Sequence, residues 1–404
     1  MLRTAYIHNL GKHLLQLVLK DKNTKFDFQD LTEERSISDV NDYIMKYKKD
    51  DRNNPLNLSN DPLAYITIFK KSEKNYEIIW SFHHILMDGW CISIILADFL
   101  ALYHNKINNQ YIELEKPVPF KEYLRWYIKQ DAEAAVKYWR NYLSDVVYPT
   151  SIFPNNAINS NSGLYKSGQY YYNLDLELSN SMRNLAKVQN ITLFSVIKTI
   201  WGVLLSKLNA RSKVVFGSVV SGRSPEIKDV EKIIGLCMNT IPIKINYEDD
   251  DISSVLSEVH RDSIESEPFH YYSLSKIQSL SVLKNKLVDH VLVFENYPTD
   301  KRLKRILQEE NNPHTFEVLD INYYTHGIYN FGLVIYPEDQ IILRFEYNSE
   351  VISQEYILDI IKYFEEISKQ VIMDPGRLIH EITLQNNYQI LETTIGADGG
   401  DFGF

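Results

Sequence analysis

The chain has 404 residues and a formal net charge of −10; 44% of its residues are hydrophobic and 24% are charged. This composition is typical of a soluble globular protein, and the length favours two compact lobes over a single core. The acidic balance, without a Lys/Arg-rich run, predicts no nucleic-acid binding, because phosphate neutralisation needs a basic face. No apolar run reaches the length of a bilayer span, and the first residues lack an apolar signal segment. With Cys91 and Cys237 as the only cysteines, we expect no disulfide framework and a cytoplasmic protein.

The first part of the chain predicts a β-hairpin followed by a helix. Residues 65–82, YITIFKKSEKNYEIIWSF, read as two strands around a polar turn. After Gly89, the apolar residues of 90–106 recur at helical spacing, so a helix is predicted there. A second amphipathic helix is predicted at 131–146. It ends at 148–163, a stretch rich in Pro, Asn and Ser that marks the best lobe boundary.

Strands and helices alternate again after this boundary. A strand at 169–176 precedes a helix at 179–190, for which Ser179 is the predicted N-cap. A long apolar helix follows at 192–209. Further strands are predicted at 213–221, 239–247, 290–297, 321–325, 331–337 and 341–348, and a last helix at 353–374. The interleaving predicts an α/β protein with mixed sheets in both halves.

The hairpin runs directly into His83-His84-Ile-Leu-Met-Asp88-Gly89 at the start of the next helix. Because neighbouring side chains of a strand point to opposite faces, one imidazole can pack while the other projects into a cleft. An imidazole titrates near neutral pH and can therefore accept or donate a proton. The N–H of Gly89, at a helix N-terminus, can stabilise an oxyanion. Asp88 can cap the helix, pair with an arginine, or do both.

Two other interpretations of this turn remain. The histidines can be structural side chains satisfied in a core, with Asp88 as an ordinary helix cap and Gly89 as a turn residue. Two His and one Asp are also possible zinc ligands. Adjacent histidines on a strand diverge, however, and no second ligand cluster accompanies them, so we expect no metal site.

Other short motifs flank the turn. In chain order they are LRT (2–4), PFKEY (119–123), SGR (221–223), IGLCMNT (234–240), HYYSL (270–274) and DHVLVFENY (289–297). Together with HHILMDG at 83–89, which fills every fixed position of HHxxxDG, this ordered set resembles the condensation domain of nonribosomal peptide synthetases. That family lies within the chloramphenicol-acetyltransferase-like superfamily, and the resemblance runs from residue 1 to about residue 383.

The resemblance implies two acetyltransferase-like lobes, each a mixed sheet with flanking helices, with an active-site tunnel between them. We expect an N-terminal lobe at 1–148, a linker at 149–163, a C-terminal lobe at 164–383 and a C-terminal linker or tail at 384–404. Family members carry a first strand and helix ahead of the LRT motif. The N-terminal lobe is therefore expected to be incomplete.

The resemblance also implies the roles of individual residues. His84 is the expected catalytic residue, acting on the acceptor amine either as a base or by orienting it, and the Gly89 amide is expected to polarise the thioester carbonyl. His83, Asp88 and Arg3 are expected to support the site, with Arg3 as the partner of Asp88. The candidates for lining or bridging the tunnel are Ser221, Arg223, Asn239, His270 and Asn330. Cys91 and Cys237 are expected to be small core residues.

The implied reaction joins two carrier-bound substrates and consumes no metal or soluble cofactor. Both substrates are expected on the 4'-phosphopantetheine of peptidyl carrier domains, one upstream and one downstream, with an adenylation domain as neighbour. The sequences ILMDGWC at 85–91 and DHVLVFENY at 289–297 resemble those of the subgroup that joins two L-configured units. The alternatives are an inactive fragment or carrier-docking remnant, and an epimerisation domain or free-standing acyltransferase of the superfamily.

Overall fold

The computed structural model describes residues 3–7, 15–21, 25–32, 36–108, 113–153, 165–296, 318–320, 322, 324 and 328–384. The chain divides into two compact units: the first comprises Met1–Ala132, Val220–Asn239 and Asn296–Tyr323, and the second Glu133–Val219, Thr240–Glu295 and Tyr324–Phe404. The first unit therefore takes Val220–Asn239 from the half of the chain expected to form the C-terminal lobe. The predicted boundaries of the lobes, linker and tail stay predictions. Most of the predicted linker and of the strand at 321–325 lies outside the described residues.

In the described part of the first unit, the strands form two small sheets. Strand β1 (Thr4–Ile7) pairs antiparallel with β2 (Leu15–Val18). Strand β4 (Ala64–Ser72) lies between β3 (Lys25–Asp30), to which it is parallel, and β5 (Asn75–Phe82), to which it is antiparallel. The pair β4–β5 is the hairpin predicted from the polar turn.

One face of the three-stranded sheet packs against helix α1 (Ile37–Arg52). The helix begins with a capping box, in which the Ser36 hydroxyl accepts from the N–H of Asp39 and the Asp39 carboxylate accepts from the N–H of Ser36. Its buried Ile44 then packs in one cluster with Phe69 of β4. The cap and the cluster together fix the position of α1 on this face.

The opposite face is only partly covered. The register places Phe28 of β3 opposite Ile68 of β4, which in turn is opposite Ile78 of β5. Helix α2 (Gly89–Asn108) approaches this layer where Ile95 and Trp80 pack around the same buried cluster. Farther along, Phe28 is 51% exposed and Ile78 is 52% exposed. An apolar strip of the sheet thus faces solvent in the described structure.

The second unit is built on a six-stranded mixed sheet with the order β6-β11-β10-β9-β7-β8. Its strands are β6 (Ser167–Asn173), β7 (Lys213–Val220), β8 (Asn239–Asn246), β9 (Val291–Phe294), β10 (Phe331–Tyr336) and β11 (Ile342–Asn348). Strand β11 is antiparallel to both β6 and β10, whereas β9 is parallel to β10 and β7. The predicted α/β class with a mixed sheet is confirmed.

The remaining described α-helices are α3 (Lys121–Tyr127), α4 (Ala132–Tyr142), α5 (Leu176–Val188), α6 (Leu193–Asn209), α7 (Ile252–Ser266), α8 (Leu274–Leu280) and α9 (Gln354–Met373). The prediction of Ser179 as an N-cap is wrong. Asp175 caps α5 one turn earlier, because its carboxylate accepts from the N–H groups of Glu177 and Leu178. Ser179 lies inside the helix, where its hydroxyl accepts from the N–H of Ile341.

No single described helix is long and apolar enough to cross a bilayer. Among the described helices, α5 and α6 taken together have the length and composition of a membrane span, but a bend of 109° separates them. Most of α6 is buried.

Candidate active site

The histidine turn lies at a strand–turn–helix junction, as predicted. The N–H of His83, just past β5, donates to the carbonyl of Leu63 at 2.9 Å. A single 3-10 turn spans His84–Leu86, and α2 begins at Gly89. Leu86 and Met87 are fully buried, so the turn is anchored from below by apolar packing.

The two histidines have different surroundings. The half-buried His83 accepts the N–H of Ile85 at its Nδ1, at 3.1 Å, so its neutral ring carries the proton on Nε2. Burial lowers the pKa of His83, and the neighbouring His84 lowers it further. His84 is exposed, and its ring makes no hydrogen bond within the part of the chain that the structure describes. Its imidazole is thus available to a substrate, whereas the His83 imidazole is held by the backbone.

Asp88 lies beneath the turn and is 1% exposed. Its Oδ1 accepts from Nη2 of Arg223 at 2.8 Å. Its Oδ2 accepts from the backbone N–H groups of Cys237, at 3.0 Å, and Met238, at 3.3 Å. An ion pair and two amide donors therefore compensate the carboxylate for its burial.

The prediction that Arg3 is the partner of Asp88 is wrong. Arg3 is exposed, and its Nη1 donates to the carbonyl of Lys20. The pairing of β1 with β2 explains this contact, since the N–H of Leu19 donates to the carbonyl of Arg3 at 2.9 Å and so brings this end of β2 beside it. Arg223, expected only as a tunnel candidate, occupies the place at Asp88.

A close backbone approach places Arg223. Gly222 has a φ of +62°, and a Cβ atom there would lie 1.9 Å from the carbonyl oxygen of Cys237. Only glycine combines this left-handed conformation with the contact. The N–H of Arg223 also donates to the hydroxyl of Ser221 at 3.4 Å. The segment 221–223 is thereby held against the segment whose amides bind Asp88.

Both cysteines are buried, as expected, but they also contact the guanidinium. Nη1 of Arg223 lies 3.1 Å from Sγ of Cys237, and Nη2 lies 3.5 Å from Sγ of Cys91. Burial raises the pKa of Cys91 to about 11 and that of Cys237 to about 12, so both remain neutral thiols. No sequence pattern pointed to these contacts, because Cys91 and Arg223 are 132 positions apart.

The remaining candidates for lining or bridging the tunnel are Asn239, His270 and Asn330. Asn239 is the first residue of β8, directly after Met238. In the second unit, the half-buried His270 has its Nε2 3.2 Å from the hydroxyl of Ser266, and desolvation lowers the pKa of His270 to about 4. Asn330, also in the second unit, accepts from the side-chain amide of Asn348 at 3.1 Å. Their predicted part in the reaction stays a prediction.

The described ranges hold no group of three or more His, Cys, Asp or Glu side chains placed to bind a metal ion. The turn instead combines an exposed imidazole with the start of a helix. Gly89 is the first residue of α2, so its N–H is one of the four donors that have no acceptor within the helix. An imidazole can move a proton, and such an N–H can polarise a carbonyl, which suits acyl transfer to a nucleophile.

Comparisons with known proteins agree with this chemistry. Residues 1–389 match the family model of the condensation domain. Bacitracin synthase 3 of Bacillus licheniformis is 34% identical over 397 residues, which cover 97% of this chain and 6% of the synthase. Gramicidin S synthase 2 of Brevibacillus brevis is 34% identical over 390 residues, which cover 95% of this chain and 8% of that synthase.

The chain therefore belongs to the condensation-domain family, whose members are acyltransferases that form amide bonds in nonribosomal peptide synthesis. It spans 6% and 8% of the length of these two relatives. The predicted family is confirmed.

Solved structures share the fold. A four-domain nonribosomal peptide synthetase bound to AMP and glycine matches with a TM-score of 0.72 and 20% identity, over 96% of this chain and 30% of that one. The epimerization domain from the third module of tyrocidine synthetase B matches with a TM-score of 0.68 and 14% identity, over 93% and 86% of the two chains. The two-lobed mixed α/β fold is thus common to synthetase domains with different reactions.

Proposed function

We propose that this chain forms an amide bond between a donor aminoacyl or peptidyl thioester and the amine of an acceptor aminoacyl thioester. Both substrates are carried on the 4'-phosphopantetheine of peptidyl carrier domains, one upstream and one downstream, in a cytoplasmic synthetase with a neighbouring adenylation domain. The chain itself holds no cofactor in this reaction. The relatives support the proposal, since they are synthases of the peptides bacitracin and gramicidin S.

The observation that carries the proposal is the compensated burial of Asp88. Its carboxylate takes one guanidinium N–H and two backbone N–H groups while almost wholly removed from solvent. Burying a carboxylate is costly, and the compensation makes the turn above it rigid. That turn presents exposed His84 and the free end of α2 at Gly89 within a few residues of each other.

In the proposed reaction the neutral acceptor amine attacks the thioester carbonyl. A C–N bond forms, the C–S bond breaks, and one amine proton ends on the departing thiolate of the donor arm. His84 acts on the amine, either taking this proton and passing it on or holding the amine in line. The Gly89 N–H donates to the carbonyl oxygen as it gains negative charge. Tethering both substrates raises their effective concentration at the turn.

Two finer assignments belong to the proposal. The sequences ILMDGWC at 85–91 and DHVLVFENY at 289–297 support the joining of two L-configured units. The alternatives are epimerisation, which the fold shared with an epimerization domain supports, and an inactive or carrier-docking remnant. The match to the condensation-domain model over 1–389, with the similarity to the synthases of bacitracin and gramicidin S, favours amide formation over epimerisation.

An intact-mass assay tests the proposed function. The chain is mixed with a loaded donor carrier and a loaded acceptor carrier, and the acceptor is followed for the mass of the joined product. We expect transfer, and we expect His84→Ala to lower its rate by at least about 10²-fold, the scale of lost proton-transfer catalysis. His380→Ala, which removes another exposed imidazole, serves as the matched control and should leave the rate unchanged.

The same assay separates the alternatives. Absence of product with the unmodified chain would favour the remnant. Epimerisation would instead show as solvent deuterium entering the α-carbon of a single carrier-bound aminoacyl group, with no product mass on a second carrier.

A further inference from the structure

Resting on the proposed function, we propose that Cys91 and Cys237 are positioning residues for the reaction. Their thiols hold the Arg223 guanidinium against Asp88 and thereby fix the turn that carries His84. Neither thiol touches the reacting atoms; both act through Arg223 and Asp88.

The ion pair alone does not fix the guanidinium. A guanidinium that binds both oxygens of a carboxylate through two nitrogens has a defined orientation. Here only Nη2 of Arg223 reaches Asp88, at Oδ1, because the amides of Cys237 and Met238 bind Oδ2. A guanidinium held through one nitrogen can pivot about that contact. Further contacts are needed to fix its plane.

The thiols supply those contacts from two sides. Sγ of Cys237 accepts from Nη1 at 3.1 Å, and Sγ of Cys91 lies 3.5 Å from Nη2. The indole ring of Trp90 adds a third side, with its centroid 5.2 Å from Cζ of Arg223. Nε of Arg223 has no hydrogen-bond partner among the described residues, so the guanidinium depends on its two Nη atoms for orientation.

Each cysteine is also tied to Asp88 through a separate contact. The N–H of Cys237 donates to Oδ2 of Asp88, and Sγ of Cys91 lies 3.3 Å from Oδ1. Cys91 itself is fixed by Gly235, whose N–H donates to its sulfur at 3.3 Å. Truncating Cys237 at Cβ therefore removes the contact to Arg223 and leaves the backbone bond to Asp88 in place. Cys237→Ala is therefore the variant that tests the thiol contact to Arg223 with the least change to Asp88.

Thiols suit this place for a physical reason. They stay neutral, since burial raises the pKa of both far above neutral pH, and so add no second negative charge beside Asp88. A hydroxyl in the same place keeps an acceptor for Nη1, whereas a methyl group leaves that donor buried and unpaired. Serine should therefore rescue what alanine loses.

Steady-state transfer kinetics give the first test. We expect Cys237→Ala to lower kcat about tenfold, in line with the cost of a small misplacement of a catalytic group, with KM changed less than about twofold. Cys237→Ser should recover most of the loss. Ser179→Ala, which deletes a buried acceptor of a backbone N–H in the second unit, is the matched control and should lower the melting temperature while leaving kcat unchanged.

A spectroscopic test does not depend on activity. In protein with ¹³C-labelled histidine, the ring signal of His84 is assigned by its loss in His84→Ala. It should shift in Cys237→Ala and Cys91→Ala and stay in place in Ser179→Ala. Should an alanine variant fail to fold, Cys237→Val, which fills the site without an acceptor, takes its place.

The outcomes separate this inference from the proposed function. An unmoved His84 signal in the cysteine variants overturns the positioning role, whatever the rate of transfer. Equal losses of kcat in the alanine and serine variants also overturn it. A shifted His84 signal in a chain that joins no substrates supports the positioning role and rejects the proposed reaction.

Discussion

Asp88 joins the turn that carries His84 to the segment Val220–Asn239 through its contacts with Arg223 and Cys237. As a whole residue Asp88 is 1% exposed, and Arg223 is its one charged partner among the described residues. The side chains of this pair are 0% and 2% exposed, so solvent screens their attraction far less than that of a surface pair. Removing one partner of such a pair leaves the other charge buried and uncompensated.

Arg223→Gln should therefore lower the free energy of unfolding by about 3–5 kcal/mol, the usual cost of breaking a buried pair. Arg3→Gln is the matched control, because Arg3 is exposed and its described hydrogen bond is to a backbone carbonyl. Its effect should stay within about 0.5 kcal/mol, as for most surface substitutions. Urea denaturation followed by tryptophan fluorescence measures both values. Equal shifts in the two variants would contradict the assignment of Arg223 as the partner of Asp88.

The residues of the turn were predictable, but their partners were not. HHxxxDG is a local pattern, so His83, His84, Asp88 and Gly89 stand in one stretch of sequence. The partner of Asp88 is 135 positions away and is reached through the close approach at Gly222. The resemblance implied Arg3 as the partner instead, but the pairing of β1 with β2 places Arg3 beside Lys20.

At the scale of elements, periodicity predicted most of the described strands and helices. The misplaced N-cap of α5 has a simple cause: Asp175 and Ser179 are both good caps, and the strand before the helix ends early enough for Asp175 to act. The long apolar run predicted a helix at α6, and the structure shows this helix buried on nearly all sides. Periodicity gave no reason, however, to expect a lysine among its buried residues.

That lysine, Lys198, gives a pH-dependent prediction. Its Nζ donates to the hydroxyl of Ser263 at 2.9 Å and lies 4.5 Å from the centroid of the Phe194 ring. Burial lowers the pKa of Lys198 from 10.5 to about 8. Between these two values the unfolded chain binds more protons than the folded chain, so this residue makes stability rise with pH through that window.

Lys198→Met should remove this contribution. We expect the variant to be more stable than the unmodified chain near neutral pH, by up to about 3 kcal/mol for a shift of this size. The difference should shrink as the pH rises from 8 towards 10.5. Lys187→Met, at an exposed position of α5, is the control and should show no such trend. Denaturation at a series of pH values measures both, and a constant difference would contradict the prediction.

At the scale of the whole molecule, apolar burial is uneven. In the second unit, α6 and the central strands β9 and β10 contribute fully buried side chains, among them Trp201, Leu292 and Leu333. In the described part of the first unit, β2 and β3 expose apolar side chains to solvent, with Val18 66% and Phe28 51% exposed. Stability against local opening follows such burial.

Hydrogen–deuterium exchange should therefore be slowest in α6 and β10 and fastest in β2 and β3. Helix α1, which is capped at Ser36 and packs on Phe69, should exchange at an intermediate rate. Peptide-resolved mass spectrometry measures the order. Exchange in β3 as slow as in β10 would contradict it.

The α/β class of the whole chain followed from the alternation of its elements, whereas no sequence pattern placed Val220–Asn239 in the first unit. Sequence patterns report on neighbours along the chain, so the predicted lobes are contiguous. The segment Val220–Asn239 instead packs in the first unit, where its side chains and amides surround Asp88. No local pattern signals that a stretch between two strands of one sheet belongs with a turn far upstream.

This long-range assembly restricts where this domain can be recombined with another member of its family. A chimaera whose crossover falls between residues 92 and 220 takes Asp88 and Cys91 from one parent and Gly222, Arg223 and Cys237 from the other. If the two parents differ at these positions, the hybrid buries the carboxylate of Asp88 without the donors and thiols that surround it in this chain. Crossovers before residue 83 or after residue 239 leave the assembly whole and are the better places to exchange segments.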